Sequence, residues 1–132
     1  MCQPNMRKSS TTSLPSLSIR IDLDDLDTEA RIGPGKIQLL ESIQACGSIS
    51  AAGRAMDMSY MRAWVLVDEM IRTCRRAAVE RQVGGKNGGG AILTPFGLSL
   101  VERYRKIQRS VETAARKELL ELLADMGAPK KA

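Results

Sequence analysis

The C-terminal stretch constrains this chain most. From Leu100 onward, apolar residues recur at Tyr104, Ile107, Val111, Ala115, Leu119, Leu122 and Met126, at steps of four, three, four, four, four, three and four. That near-heptad spacing predicts one amphipathic helix, opened by Thr94 and Pro95, with Glu102, Arg103, Arg105, Arg109, Glu112 and Arg116 on its outer side. Such a helix runs about 30 residues, or roughly 45 Å. The whole chain has 132 residues, enough for one domain, so this helix outruns the core it can pack on. Its overhanging stripe needs a partner, most simply a second copy of the chain. Tyr104, Ile107, Val111, Leu119, Leu122 and Met126 are the candidate dimerisation residues.

The remaining residues must supply the core. Aromatics make up 3% of a chain that is 43% hydrophobic, so Leu, Ile, Val, Met and Ala have to fill it, a helical palette. Ser16 to Asp24 alternates, with Leu17, Ile19, Ile21 and Leu23 on one side, the period of a half-buried strand. The acidic run of Asp22, Asp24, Asp25, Asp27 and Glu29 reads as a solvated face, since it lacks the Gly and closing Glu of a calcium loop. Pro34 starts a helix that buries Leu39, Leu40, Ile43 and Cys46, has Ile37 at its edge, and stops at Gly47. Ser50 is the expected cap of a short helix through Met56, with Ile49 as its hydrophobic staple. Asp57 and Met58 form a turn, and Ser59 caps a helix to Arg76. Its inward face is Tyr60, Ala63, Val67, Met70 and Cys74, and its outer face Met61, Arg62, Val65, Glu69, Arg72 and Arg76. AVERQV, GGKNGGG and AILT then read as a β-hairpin with a glycine-rich tip. Residues 1–15 form an expected disordered tail, 16–94 a folded domain, 95–126 the long helix and 127–132 a short tail.

Two helices across a tight turn, followed by a hairpin and a long helix, make a winged helix-turn-helix pattern. The fold expected is mainly α, with a small antiparallel sheet made from the N-terminal strand and the hairpin. In that pattern Ser59–Arg76 is the recognition helix in the major groove, and Ala78–Thr94 the wing on flanking backbone or minor groove. Candidate DNA-binding residues are Ser50, Ser59, Met61 and Arg62, with Arg62 the direct base reader, and Arg81, Lys86 and Asn87 from the wing. Tyr60 is placed mainly in the core, and Trp64 stays open between packing and stacking. A formal charge of +5 favours a polyanionic partner.

The same residues exclude other chemistry. With no histidine, Ser-His and Cys-His catalysis and His-ligated zinc are removed, so no catalytic or metal site is expected, and no cofactor. Cys2, Cys46 and Cys74 are odd in number and far apart, giving no readable disulfide framework and suiting a reducing compartment. GGKNGGG is not a phosphate-binding loop, because Lys86 precedes Asn87 rather than Ser or Thr and no helix follows. No apolar h-region opens the chain and no membrane-length apolar run occurs, so the expectation is a soluble cytoplasmic protein.

Between Arg31 and Val111 the chain resembles the N-terminal DNA-binding domain of the molybdate-dependent transcriptional regulators, the ModE family. The resemblance rests on GSIS, on Ser59, Tyr60, Ala63 and Trp64 in the pattern SYxxAW, on VER, and on GGKNGGGAxLT. LTPFGLSLVERYR is similar, more distantly, to the wing and linker helix of LysR-type regulators. The resemblance implies a dimeric, DNA-binding transcription regulator. Full-length members continue into C-terminal oxyanion-binding domains, whereas this chain ends at Ala132, so molybdate binding is not expected of it. Met61 and Val65 stand where some members carry polar or charged residues, so the operator is not carried across. The alternative is a winged-helix scaffold that dimerises through the last helix and binds protein instead of DNA.

Overall fold

The computed structural model describes residues 15–23, 30–82 and 89–127. Its elements are β1 (Ile21–Asp22), β2 (Arg31–Ile32), α1 (Pro34–Cys46), α2 (Ile49–Ala55), α3 (Tyr60–Cys74), β3 (Val79–Gln82), β4 (Gly90–Leu93) and α4 (Pro95–Met126). The architecture is mainly α with small antiparallel β pairings, as the periodicity predicts. Most of the acidic run, from Asp24 to Glu29, lies outside the described residues, as do the first fourteen, Lys86, Asn87 and the last five.

Local chemistry sets most boundaries. Pro34 occupies the first turn of α1, and Gly47 ends it at φ 81°, its N–H donating to the Ile43 carbonyl at 2.8 Å. The cap of α2 is Ser48, not Ser50: the Ser48 Oγ accepts from the Ala51 N–H at 3.0 Å. Ile49 is therefore the first helical residue rather than a staple, and it is buried. Asp57 takes the left-handed turn position at φ 58°, and the Ser59 Oγ caps α3 by accepting from the Arg62 N–H at 3.0 Å. Arg75, also left-handed, closes α3 just short of the expected Arg76.

The sheet differs from expectation. β1 pairs with β2, Ile21 opposite Ile32, while β3 pairs with β4, Val79 opposite Leu93, so the N-terminal strand does not join the wing. The alternation is real, since Leu17, Ile19 and Ile21 are half-buried between exposed neighbours. The backbone preceding β1 is held by side chains of α4 instead of by a strand. Tyr104 donates its hydroxyl to the Ile19 carbonyl at 2.6 Å, Gln108 donates to the Leu17 carbonyl at 2.9 Å, and Glu112 accepts from the Leu17 N–H at 3.3 Å.

Ile37, Leu39, Leu40 and Ile43 of α1 are fully buried at the centre of the core, against Ala52, Ala63, Val67, Met70, Ala91 and Leu93. Two ion pairs stitch helices across it. Lys36, buried, meets Glu69 at 3.3 Å and donates to the Arg31 carbonyl at 2.9 Å, which turns Glu69 away from the outer face expected of it. Arg105 grips Glu41 through two bonds of 2.7 and 3.0 Å, tying α4 to α1. The hydrogen bond to Glu41 holds the Arg105 guanidinium above its already high ordinary pKa, against the opposing effect of burial. Cys46 is disulfide-bonded, which departs from the expectation of reduced thiols. Cys74 is free, and burial raises its pKa.

Tyr104 departs from its expected role. At 1% exposure it belongs to the protomer's own core, which leaves it no surface for a second copy. Tyr104→Phe should keep the packing and lose only the bond to Ile19, lowering stability by about 1 kcal/mol. Urea denaturation checks this, with an unchanged midpoint as the contrary result.

Candidate nucleic-acid interface

α2, the Asp57 turn and α3 form the helix-turn-helix, closed by the Met58 N–H donating to the Gly53 carbonyl at 2.9 Å. Packing of Ala63, Leu66, Val67 and Met70 inward leaves Tyr60, Met61, Arg62 and Val65 exposed on the first half of α3. Met61 is 69% exposed, far more than a core would leave a methionine. Further along, Arg72 pairs with Asp68 at 3.2 Å, so the cation in that turn is partly neutralised, whereas the Arg62 guanidinium stands in solvent. Beyond the helix end, Arg76 lies over the Phe96 ring at 4.9 Å rather than on the recognition face.

The wing is fastened to α1 through β4. The Ala91 N–H donates to the Gly47 carbonyl at 2.8 Å, and the Leu93 N–H to Gln44 Oε1 at 3.1 Å. A side chain at Gly90 would put its Cβ 2.8 Å from the Gly47 carbonyl oxygen, so this close approach requires glycine. β3 carries Arg81, whose guanidinium lies 4.9 Å from the centre of the Trp64 ring, a cation–π contact bridging wing and recognition helix.

Tyr60 is 45% exposed, which corrects its placement in the core. It stands edge-on to Trp64, ring centres 6.3 Å apart at 82°, and its hydroxyl accepts the Trp64 indole N–H. Trp64 is half-buried and packs against the core. A cleft of about 170 Å³ opens between the starts of α2 and α3 and the base of the wing, lined by Ser48, Ile49, Ser50, Tyr60, Arg81, Gly89, Gly90 and Ala91.

Of the residues singled out from sequence, Ser50 and Arg81 thus meet in one cleft, and Met61 and Arg62 share the exposed start of α3 beside it. The Ser59 hydroxyl is engaged as a cap. Lys86 and Asn87, at the wing tip, lie outside the described residues. Sequence reasoning missed Tyr60 as a surface group, and also Arg54, exposed and donating to the Ser50 Oγ at 2.8 Å. On α4, Ile107, Val111, Leu122 and Met126 are exposed and Leu119 is half-exposed.

A helix-turn-helix flanked by a wing hairpin and followed by a long helix defines the chain as a winged helix-turn-helix protein. It is similar to curated regulators. It is 40% identical over 83 residues to the transcriptional regulator ModE of Haemophilus influenzae, covering 63% of this chain and 32% of that one. It is 42% identical over 71 residues to the DNA-binding transcriptional dual regulator ModE of Escherichia coli K12, covering 54% and 27%. To the molybdenum-pterin-binding protein MopB of Rhodobacter capsulatus it is 43% identical over 84 residues, covering 64% and 31%. The resemblance carried by GSIS, SYxxAW and the wing motif is therefore borne out, and the domain is ModE-like. The chain spans about a third of the length of these relatives. No family model matches it. Among the described residues, no helix is long and apolar enough to cross a membrane.

Proposed function

We propose that this chain is a sequence-specific double-stranded DNA-binding protein of transcriptional control, cytoplasmic, and paired as a homodimer through α4. α3 enters the major groove and the wing lies on flanking backbone or minor groove. The observation that carries this reading is the solvent-facing start of α3, with Met61, Arg62 and Val65 outward, beside a wing held at a fixed distance by β4. A major groove about 12 Å wide admits one helix, and its base edges separate all four base pairs. Arg62 is the reader, suited to the paired acceptors of a guanine, while Met61 and Val65 suit thymine methyl groups. The reading includes no cofactor and no molybdate effector.

Selection of bound sequences from a random duplex library tests it, and enrichment of an inverted repeat is the expected outcome. Arg62→Ala should then cost about 1 to 3 kcal/mol on the selected site and flatten the preference over neighbouring sequences. Equal losses on selected and random duplexes would remove Arg62 from the reading role. The apolar character of Met61 and Val65 also suits a protein partner, so a second reading is a scaffold. Absence of duplex binding at low salt, together with capture of a protein on this face, would decide for it.

A further inference from the structure

We infer that the cleft between α2, α3 and the wing is a clamp for a single phosphodiester of the DNA backbone, closed by Tyr60, Ser50 and Arg81. The inference rests on the duplex-binding reading and assigns this cleft a ligand.

The argument is one of donor direction. A hydroxyl has one O–H to give and two lone pairs to receive with. Ser50 Oγ already receives from the Arg54 guanidinium at 2.8 Å, and the Tyr60 hydroxyl already receives the Trp64 indole N–H. Both O–H groups are thereby left to donate. The Arg81 guanidinium carbon lies 4.9 Å from the centre of the Trp64 ring, a contact with a π face that uses no oxygen acceptor, so Arg81 brings a cation with N–H groups to donate as well. The Gly47 carbonyl, at the wing base, already receives the Ala91 N–H. Among the described residues, no carboxylate lines the cleft. Ser48 Oγ likewise receives the Ala51 N–H, so a cleft with three hydroxyl donors and one cation selects an anion with several acceptor oxygens. Its position, at the start of the recognition helix and against the wing, is where a strand bordering the occupied groove passes.

The shared chemistry is a phosphate oxyanion, and a free anion is separated from DNA in the test. Fluorescence anisotropy with a labelled mixed-sequence duplex, repeated over graded salt, compares wild type, Tyr60→Phe, Ser50→Ala and Arg81→Ala. Trp64 is the single tryptophan and touches both Tyr60 and Arg81, so its emission reports on two of the groups that line the cleft. Tyr60→Phe and Ser50→Ala should each weaken binding to every duplex about three- to tenfold without changing the salt slope, because a neutral donor releases no counterion. Arg81→Ala should lower the slope by about one per bound protomer. Duplex should shift the Trp64 emission, and inorganic phosphate at matched ionic strength should not. If the wild type binds duplex and all three variants match it in affinity and slope, the clamp is overturned and the duplex reading stands. If the wild type binds no duplex at low salt, both fall. A saturable Trp64 response to inorganic phosphate that duplex cannot displace overturns the backbone source in favour of a free anion.

Discussion

Gly97→Ala is expected to destabilise the protein by on the order of 3 kcal/mol, although alanine is the better helix former. Gly97 lies in the first turn of α4, and a Cβ there would sit 2.1 Å from the Ala78 carbonyl oxygen and 3.0 Å from its carbon. The collision is with backbone, so no side-chain rotation relieves it. The junction is also tied on both sides. The Thr94 N–H donates to that same Ala78 carbonyl at 3.0 Å, the Thr94 hydroxyl donates to the Ala77 carbonyl at 2.7 Å, and Thr94 Oγ1 caps α4 by accepting from the Gly97 N–H at 3.0 Å. Making room for a methyl group means moving α4 off the start of the wing and weakening these bonds together. Helix propensity contributes at most about 1 kcal/mol in the other direction. A fall in Tm of roughly 10 °C or more is expected. An unchanged or higher Tm would show that α4 can shift without cost, and that it does not fix the wing.

Gly97 illustrates what the sequence makes legible. It stands inside a helix whose spacing is plain, yet what it touches is a residue nineteen positions earlier, and no local pattern carries that. The helices, the left-handed turn at Asp57 and the wing strands were readable because each follows from neighbours three or four residues apart, or two. Errors arose where a local rule left a choice that packing decided. Ser48 and Ser50 are equally good caps. Gly47 ends α1 so abruptly that only one extended residue separates the helices, and Ser48 is that residue. Tyr60 has the spacing of the inward face, but it sits on the first turn, beyond the edge of the core centred on Ala63, Val67 and Met70. Tyr104 lies on the same stripe as the exposed residues of α4, at the level where α1 and the N-terminal segment still cover it. The cleft was half legible. Ser50 and Arg81 were singled out for their chemistry, but the pairing of Arg81 with Trp64 and Tyr60 joins a strand to a helix and has no signature in spacing.

Ending the chain after Val111 should leave a folded monomer whose affinity for a two-half-site duplex is lower by about a hundredfold or more. α4 has 32 residues, roughly 48 Å of helix. Its last buried side chain is Gln108, which donates to Leu17 and accepts from Arg105 at 2.8 Å. Past that point Leu120, Leu122 and Met126 are exposed, the last at 70%, and among the described residues no core lies beneath the helix. Among the described residues, the deletion therefore takes away no buried one. It does remove the bond from Leu17 to Glu112, which is partly exposed and 3.3 Å long and worth little by comparison. On the proposed dimer reading, one cut should therefore separate fold from assembly, which makes the result informative. A dimer engages its second half-site as an intramolecular event, so losing the partner removes avidity while leaving each protomer's own contacts in place. Affinity for a duplex carrying a single half-site should accordingly change little, and thermal unfolding should remain cooperative. Sedimentation at monomer mass is the expected companion result. A truncated chain that still sediments as a dimer would mean that Ile107, Val111 and the hollow they form with Arg103, Lys106 and Ser110 suffice to hold two copies together, and a full-length chain that sediments as a monomer would overturn the proposed pairing through α4.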